Sequence, residues 1–354
     1  MTALDRALAA PRNLTADELA DMLASADEGL WREIFAAARE VKARCGKAET
    51  LPRGLVETSN VCAKDCLYCG IRKGNANVPR YLIPEEEVVA CIEEARRRGY
   101  PAVAFQAGEI ESEANTAYYE RLLAYATGRA AVAGRHDLPL EVTLSLGEQT
   151  EAVYRRWKDA GAMRYLIRIE TSNRELYAKI HPAACSFERR LGCIRTLKKL
   201  GYVTGSGVMI GLPGQTVRDL ANDIVFFGAE NLDMVGMGPY VPTPGTPMGA
   251  GVKVKGEGEQ WNGQDSLSAS NLGLSLRMIA LTRLYLQDVN IVAATALEAL
   301  DPEGGRNRGI EAGANVVMPV LTPEKYRRNY DLYPGKFECG GLETGDGRHM
   351  REGA

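Results

Sequence analysis

Stretches with the composition of buried strands alternate with amphipathic helical stretches along most of this 354-residue chain. Eight strands are predicted, at residues 54–60, 101–109, 140–148, 164–171, 203–212, 233–241, 290–297 and 315–321. Alternating strands and helices predict a parallel sheet covered by helices, and eight such units close a barrel. We therefore predict an α/β fold, a (β/α)8 TIM-type barrel. An open doubly wound sheet is the alternative, but its first strand usually leads into a glycine-rich phosphate turn, whereas cysteines follow here.

Segments outside this alternation define the predicted domain organisation. Residues 1–50 carry helical patterns, including a capping-box pair at Thr15 and Glu18, and are expected to form an N-terminal helical extension. The barrel is expected over residues 51–325, with a glycine-rich polar insert at 249–270 that we predict to be a surface loop. Residues 326–354 are expected to form a C-terminal tail.

The charge and hydropathy of the chain exclude several classes of partner. Its net charge is −3 at pH 7, and its basic residues do not form the clustered patch of a nucleic-acid-binding protein. No uninterrupted apolar stretch approaches the roughly 18 residues that suggest a membrane span, and the first residues lack the apolar core of a secretory signal. We expect a cytoplasmic protein that binds neither nucleic acid nor membrane, with cysteines that stay mostly reduced.

Three of the eight cysteines, Cys62, Cys66 and Cys69, lie within eight positions directly after the first predicted strand. Structural zinc takes four ligands, usually as two closely spaced pairs, and the histidines lie far away in the sequence. A disulfide is disfavoured in the cytoplasm. An iron–sulfur cluster is the remaining interpretation. A [4Fe–4S] cubane normally takes four thiolates, so three would leave one iron open.

An open iron can chelate a small molecule through an amine and a carboxylate, and S-adenosylmethionine (SAM) carries both on its methionine end. A reduced cluster can then transfer one electron to the sulfonium, break a C–S bond and release a 5′-deoxyadenosyl radical. The stretch "ETSNVCAKDCLYCG", with the aromatic Tyr68 before the last cysteine, resembles the signature of the radical SAM superfamily. The resemblance implies that the three cysteines hold a [4Fe–4S] cluster and that Tyr68 lies beside the cofactors.

Other stretches resemble the SAM-binding segments of that superfamily, in the order that the barrel requires. "QAGE" after the second strand resembles the family's glycine-glycine-glutamate motif, although Ala107 replaces one glycine. The resemblance assigns SAM binding to nine positions besides the cysteines: Tyr68, Gly108, Glu109, Ser145, Arg168, Glu170, Arg190, Met209 and Gly211. Arg168 and Glu170, two residues apart on the fourth predicted strand, are expected to share a face of that strand. The alternatives are a carboxylate at a helix entry for Glu109, and a plain ion pair between barrel layers for Arg168 and Glu170.

Between residues 51 and 336 the chain is similar to the biotin-synthase-like group, and within it to the HydE-type maturases of [FeFe]-hydrogenase. Stretches such as "VTLSLGE", "RYLIRIETSN", "GLPGQT" and "DMVGMGPYVPTPGTP" carry this resemblance. Biotin synthase holds a second, sulfur-donating cluster on barrel cysteines, and the corresponding positions here are Gln106, Thr143 and Gly205. None of these can supply a thiolate, so we do not expect sulfur insertion of that kind.

The resemblance implies a substrate inside the barrel, an organometallic iron species that carries CO, cyanide and cysteine, together with a low-potential electron donor and other hydrogenase maturation proteins as partners. Candidate substrate-lining residues are Thr143, Ser145, Met237, Tyr240 and Thr295, each of which is equally consistent with barrel packing. Ala294 lacks a hydroxyl that the family often carries at this position. The alternatives are a HydE-like paralogue or a methylornithine-synthase-like enzyme with another small substrate, and a non-catalytic iron–sulfur scaffold.

Overall fold

The computed structural model describes residues 2–129, 139–250 and 266–336, without the side chains of 266–269. The strands of these residues pair in parallel throughout. They are β1 (Leu51–Pro52), β2 (Gly54–Ser59), β3 (Ala102–Ala107), β4 (Glu141–Ser145), β5 (Arg164–Leu166), β6 (Val203–Ser206), β7 (Met209–Ile210), β8 (Met234–Pro239), β9 (Asn290–Ala293) and β10 (Val316–Val317). Their order in the sheet is β1-β10-β9-β8-β6-β5-β4-β3-β2, and β7 pairs with β8.

The sheet closes on itself through its first strand position. Only Arg53 separates β1 from β2. β1 pairs with β10, a further bridge joins Leu55 to Val320, and β2 pairs with β3 on its other side. Because β1 and β2 share one position, as do β6 and β7, the ring has eight strand positions. The predicted (β/α)8 TIM-type barrel is confirmed.

Helices cover the outside of this ring and precede it. The helices before the barrel are α1 (Ala3–Ala9), α2 (Ala16–Ala24) and α3 (Glu28–Arg44). The longer helices between strands are α4 (Glu85–Arg97), α5 (Glu113–Ala126), α6 (Glu151–Asp159), α8 (Phe187–Lys199), α9 (Val217–Ala229) and α10 (Ser266–Leu286). The shorter ones are α7 (Arg174–Ile180), α11 (Thr295–Leu300) and α12 (Gly305–Glu311), and α13 (Glu324–Arg327) follows β10. Among the described residues, no helix is long and apolar enough to cross a membrane.

The capping box predicted at the start of α2 is present. The Thr15 hydroxyl accepts from the Glu18 amide at 3.2 Å, and the Glu18 carboxylate accepts from the Thr15 amide at 2.9 Å. These two bonds satisfy amide groups that have no partner within the helix. The helical extension predicted over residues 1–50 therefore contains three helices between Ala3 and Arg44.

Strand residues alternate between the helical layer and the barrel interior. Outward side chains form the main core, where the Tyr165 ring lies 6.3 Å from that of Trp157 on α6. Parallel register places Glu57, Gln106 and Ser145 at one level on adjacent strands, facing inward. The interior therefore carries polar side chains at the carboxyl ends of these strands, where barrel enzymes place their chemistry.

Two predicted boundaries differ from the structure or lie outside it. The prediction of a loop over 249–270 is wrong from Ser266 onward, because α10 begins there, and residues 251–265 lie outside the described residues. Within the predicted tail, residues 326–336 are described and pack on the barrel. Residues 337–354, with Cys339, lie outside the described part. Cys91 and Cys193 are buried in the core.

Candidate active site

The loop that carries the three cysteines begins where β2 ends, and two polar side chains fold it. Asn60 donates from its side chain to the Pro79 carbonyl at 2.8 Å and accepts from the Tyr81 amide at the same distance. Arg80 donates to the carbonyls of Asn60 and Ile71, both at 2.7 Å, and to two further carbonyls of the loop. These bonds satisfy backbone groups that have no strand or helix partners. Neither residue belongs to the predicted site.

The three thiols are reduced, half-buried and close enough to influence one another electrostatically. Burial raises the pKa of Cys62 and Cys66, and raises that of Cys69 to about 12. The Cys62 sulfur accepts from the Glu109 amide at 3.3 Å. No His, Cys, Asp and Glu side chains among the described residues converge as a set on a single ion. In a cubane, by contrast, each thiolate binds a different iron.

Gly108 allows the end of β3 to approach the cysteine loop closely. A Cβ at this position would lie 2.3 Å from the Val61 carbonyl oxygen and 2.7 Å from the Cys62 Cβ. The next residue holds the loop from the same side, because the Glu109 carbonyl accepts from the Ala63 amide at 2.8 Å. Gly108 and Glu109, both predicted from "QAGE", therefore border the cysteines directly.

The Glu109 side chain belongs to a buried charged group that sequence analysis only half identified. Lys64, from the cysteine loop, lies 3.0 Å from Glu109 and 3.2 Å from Glu148, and Arg190 lies 2.6 Å from Glu148. Glu148 is fully buried after β4. Burial works to raise the pKa of Glu148, but Arg190 and Lys64 outweigh it and lower that pKa. The Glu148 carboxylate is therefore ionised at neutral pH, whereas burial raises the pKa of Glu109. Glu148 was not predicted.

Arg168 and Glu170 form the predicted pair, but not through strand geometry. The Arg168 Nε lies 3.0 Å from both carboxylate oxygens of Glu170. The predicted strand over 164–171 is too long, because β5 ends at Leu166 and Glu170 has a left-handed φ of 67°. That backbone is rare outside glycine. It is fixed by the Glu170 amide, which donates to Gly207, and by the Glu170 carbonyl, which accepts from Met209.

Both charged groups lie beside the cysteines. Besides burial, which is the main cause, the charge of Glu170 helps to raise the pKa of Cys69. Burial is the main cause of the raised pKa of Cys66, and the charge of Arg190 works to lower that pKa. Arg190 also donates to the Arg168 carbonyl at 2.8 Å. The cysteine loop is therefore bordered by two guanidinium groups and by carboxylates held close to them.

An apolar cluster lies against the cysteine loop and includes three predicted residues. Met209 and Tyr240 pack together with Leu176, Ile180 and Leu212, and Tyr68 packs against them. The Tyr240 hydroxyl donates to the Met248 carbonyl at 3.2 Å, and its assignment to the substrate end stays a prediction.

The turn that follows Met209 is held by hydrogen bonds between the Gln215 side chain and the backbone. Gly211 has a φ of 84° and donates to the Gln215 side chain at 2.8 Å, while Gln215 donates to the Met209 carbonyl at 3.0 Å. A Cβ at Gly211 would meet the Asn271 side chain. Gln215 and Asn271 were not predicted, and the glycine permits a backbone that other residues avoid.

The remaining predicted residues divide between the barrel interior and other places. Thr143 and Ser145 face inward on β4, and the Thr143 hydroxyl has no hydrogen-bond partner among the described residues. The inward placement of Met237 is wrong, because its sulfur contacts the Thr282 hydroxyl of α10, in the helical layer, at 3.9 Å. Thr295 is not on a strand but is the first residue of α11.

A polar cavity of about 420 Å³ lies at the opposite end of the barrel from the cysteines. It is lined by Arg12, Lys198, Asp233 and Asn290 among others, at the amino ends of β8 and β9. Side chains from those ends take no part in the cysteine site, so the cavity is separate from the chemistry that the cysteines indicate.

Comparison with known proteins identifies relatives over most of the chain. A family model described as the radical SAM superfamily matches residues 56–227. The chain is 40% identical over 326 residues to the [FeFe] hydrogenase maturase subunit HydE of Thermotoga maritima, covering 92% of this chain and 86% of that protein. The fold is similar to the crystal structure of methylornithine synthase (TM-score 0.72, 22% identity, 97% and 90% of the chains). It is also similar to the maturase HydG (TM-score 0.75, 18% identity, 94% and 71% of the chains).

Proposed function

Because the chain belongs to the radical SAM superfamily, and within it to the family of the [FeFe] hydrogenase maturase subunit HydE, we propose that it acts in the assembly of the active-site cluster of [FeFe]-hydrogenase. The family uses a [4Fe–4S] cluster and SAM. When bound, these cofactors supply one electron to the SAM sulfonium and a 5′-deoxyadenosyl radical from the C–S bond that breaks.

The residues present fit the cluster. Three thiols on one loop supply one thiolate each, and thiolate is the ligand that iron–sulfur clusters take. Because burial raises the pKa of these thiols, they hold their protons until a metal displaces them. The Glu109 amide already donates to the Cys62 sulfur, and such hydrogen bonds tune the reduction potential of a cluster. We assign Cys62, Cys66 and Cys69 as its ligands.

The residues also fit SAM, which carries a carboxylate, an amine, a ribose and an adenine. We assign the SAM carboxylate to Arg168 or Arg190, because guanidinium groups hold carboxylates through paired hydrogen bonds. Glu170 and Glu109 offer oxygens to the amine or the ribose hydroxyls. The backbone at Gly108 is open to close approach, since a Cβ there would fill the space beside Cys62.

Adenine recognition is assigned to the apolar side of the loop. Met209 and Tyr68 pack in one cluster there, and the turn at Gly211 follows Met209 directly. Ser145 lies at the carboxyl end of β4 and faces inward. These groups bind and orient, and they exclude water from the reacting atoms.

The observation that carries the proposal is the 40% identity to HydE over 92% of the chain, combined with a cysteine loop bordered by Arg168, Glu170 and Arg190. We propose that the substrate is an organometallic iron species that carries a cysteine-derived group, and that it binds within the barrel near Thr143. We further propose a low-potential electron donor and other hydrogenase maturation proteins as partners.

Maturation of hydrogenase in vitro tests this function. Apo [FeFe]-hydrogenase is incubated with the other maturation proteins and with this protein in place of its counterpart, and hydrogen evolution is measured. We expect activity that depends on SAM and is lost when Cys66→Ala replaces the wild type. Normal SAM cleavage without maturation would contradict the maturase assignment and favour a related enzyme with another small substrate, for which the missing hydroxyl at Ala294 offers a physical reason.

A further inference from the structure

Residues 329–336 form a segment that crosses the carboxyl end of the barrel, and we call it the C-terminal strap. The Gly70 amide of the cysteine loop donates to the Leu332 carbonyl at 3.1 Å. The Tyr333 hydroxyl lies 2.5 Å from the Thr295 hydroxyl, after β9. The strap therefore joins the cysteine loop, which follows β2, to the segment after β9, two strand positions away in the ring.

The last residue of the strap reaches the barrel interior. Lys336 forms an ion pair with Glu57, and the two side chains are only 5% and 0% exposed. Glu57 faces inward on β2, because its neighbour Thr58 contacts Tyr119 of the helical layer and side chains alternate along a strand. The pair therefore lies inside the ring, on the strand that leads into the cysteine loop.

The Glu57 carboxylate is only half satisfied. Its Oε1 contacts Lys336, whereas its Oε2 has no hydrogen-bond partner within the part of the chain that the structure describes. A buried carboxylate oxygen without a donor is costly, and such groups in native proteins generally meet a ligand, an ion or water. The Thr143 hydroxyl, also inward-facing and buried, is in the same condition.

A second glutamate–lysine pair in the C-terminal region differs from the buried pair in its exposure and in its hydrogen bonds. Glu87 on α4 and Lys325 on α13 also join the C-terminal region to the barrel, but Lys325 is 62% exposed. Both oxygens of Glu87 are used, since Oε1 accepts from Lys325 and Tyr326 and Oε2 lies 2.8 Å from Lys325. This connection is thus made at the surface without burying a charge, unlike the pair at Glu57.

We propose that Glu57 and Lys336 form a ligand-binding pair inside the barrel for a small zwitterionic group of the substrate. The free Glu57 oxygen accepts from the ammonium group, and Lys336 donates to the anionic oxygen. The pair carries one positive and one negative charge and is neutral overall. A zwitterionic ligand also has no net charge, so its binding leaves the buried site neutral. A singly charged ligand would add a net charge, at a large cost in free energy. This inference rests on the proposed function, because it assigns where that reaction holds its substrate.

The test measures binding to the holoenzyme, with its cluster reconstituted and SAM saturating so that the open iron is occupied. The probes are L-alanine, which carries both charges, and ethylamine and propionate, which carry one each. Binding is followed by saturation-transfer NMR and calorimetry in the wild type, Glu57→Gln, Lys336→Met and the double variant. Glu87→Gln is the matched control. The double variant leaves no buried unpaired charge, so it keeps the fold even where a single substitution weakens it.

We expect L-alanine to bind the wild type and the Glu87→Gln variant alike, and more tightly than either single-charge probe. We expect the double variant to bind it at least about tenfold more weakly, because hydrogen bonds between charged groups are the strong ones. Equal affinity in the double variant would overturn the inference. So would a wild type that binds no probe, since Oε2 would then hold only water.

SAM cleavage by the wild type without any probe separates this inference from the proposed function. If the wild type forms 5′-deoxyadenosine but L-alanine binding does not depend on the pair, the ligand-binding pair alone is wrong. If the wild type forms none, the proposed function is wrong, and with it the assignment of the pair to a substrate.

Discussion

The Arg190 Nε donates to the Glu148 Oε1 at 2.6 Å, in a position where Glu148 is fully buried. Arg190 lies on α8 and Glu148 follows β4. Lys64, from the cysteine loop, lies 3.2 Å from the other oxygen of the same carboxylate. One buried anion therefore fixes the cysteine loop and the arginine assigned to SAM relative to each other.

Glu148→Gln should weaken SAM binding by about tenfold and lower the free energy of unfolding by about 3–5 kcal/mol. Among the described residues, the substitution leaves the buried Arg190 and the half-buried Lys64 with Glu109 as their remaining carboxylate partner. SAM affinity by calorimetry and urea unfolding measure the two effects. Glu151→Gln is the control, because Glu151 makes a surface ion pair with Arg155. A Glu148→Gln variant that behaves like this control would contradict the role of Glu148.

Gly108→Ala should prevent assembly of the cluster. Its Cβ would lie 2.3 Å from the Val61 carbonyl oxygen, so the cysteine loop would have to move. Iron content and visible absorbance after reconstitution measure the loss. Gly192→Ala is the control, since a Cβ there meets nothing within 4 Å and alanine stabilises a helix interior by roughly 0.5–1 kcal/mol. Full iron loading in Gly108→Ala would show that the close approach does not matter.

Asp223 should make the wild type less stable as the pH rises from about 5 to about 8. Burial raises its pKa to about 7, although hydrogen bonds from Ser172 work in the other direction. The unfolded chain releases this proton near pH 4. Between these values the folded state binds more protons, so stability falls with pH by on the order of 1 kcal/mol per unit.

The Asn side chain in Asp223→Asn does not titrate. As the pH rises over the same range, the free energy of unfolding of this variant should therefore increase relative to that of the wild type. Urea unfolding at the two pH values measures this difference. Asp21→Asn, at an exposed position of α2, is the control. A difference between Asp223→Asn and the wild type that stays constant with pH would count against the shifted carboxyl.

The barrel and the cysteine loop were predictable because both depend on local pattern. Alternating strands and helices determine the ring, and the three cysteines lie on one short loop. The groups that complete the site come from separate segments. Nothing in the sequence around Glu148 indicates that it meets Lys64, which lies 84 positions away, and no local pattern predicts the pair of Glu57 with Lys336.

Two errors in the predicted site concern strand geometry: one is the face on which a side chain lies, and the other is the residue at which a strand ends. Side chains alternate along a strand, so a shift of one residue moves every side chain to the other face. Met237 was placed on the inward face of β8 but contacts Thr282 in the helical layer. Thr295 was placed on a strand, but β9 ends at Ala293 and α11 begins at Thr295.

The central claim is that the cysteine loop supports reductive cleavage of SAM. Its most direct test is the formation of 5′-deoxyadenosine by anaerobically reconstituted protein with SAM and dithionite, compared with the Cys66→Ala variant. We predict formation by the wild type, even without substrate, and none above background in Cys66→Ala. The absence of 5′-deoxyadenosine from the wild type with any strong reductant, or an equal amount in Cys66→Ala, would contradict the claim.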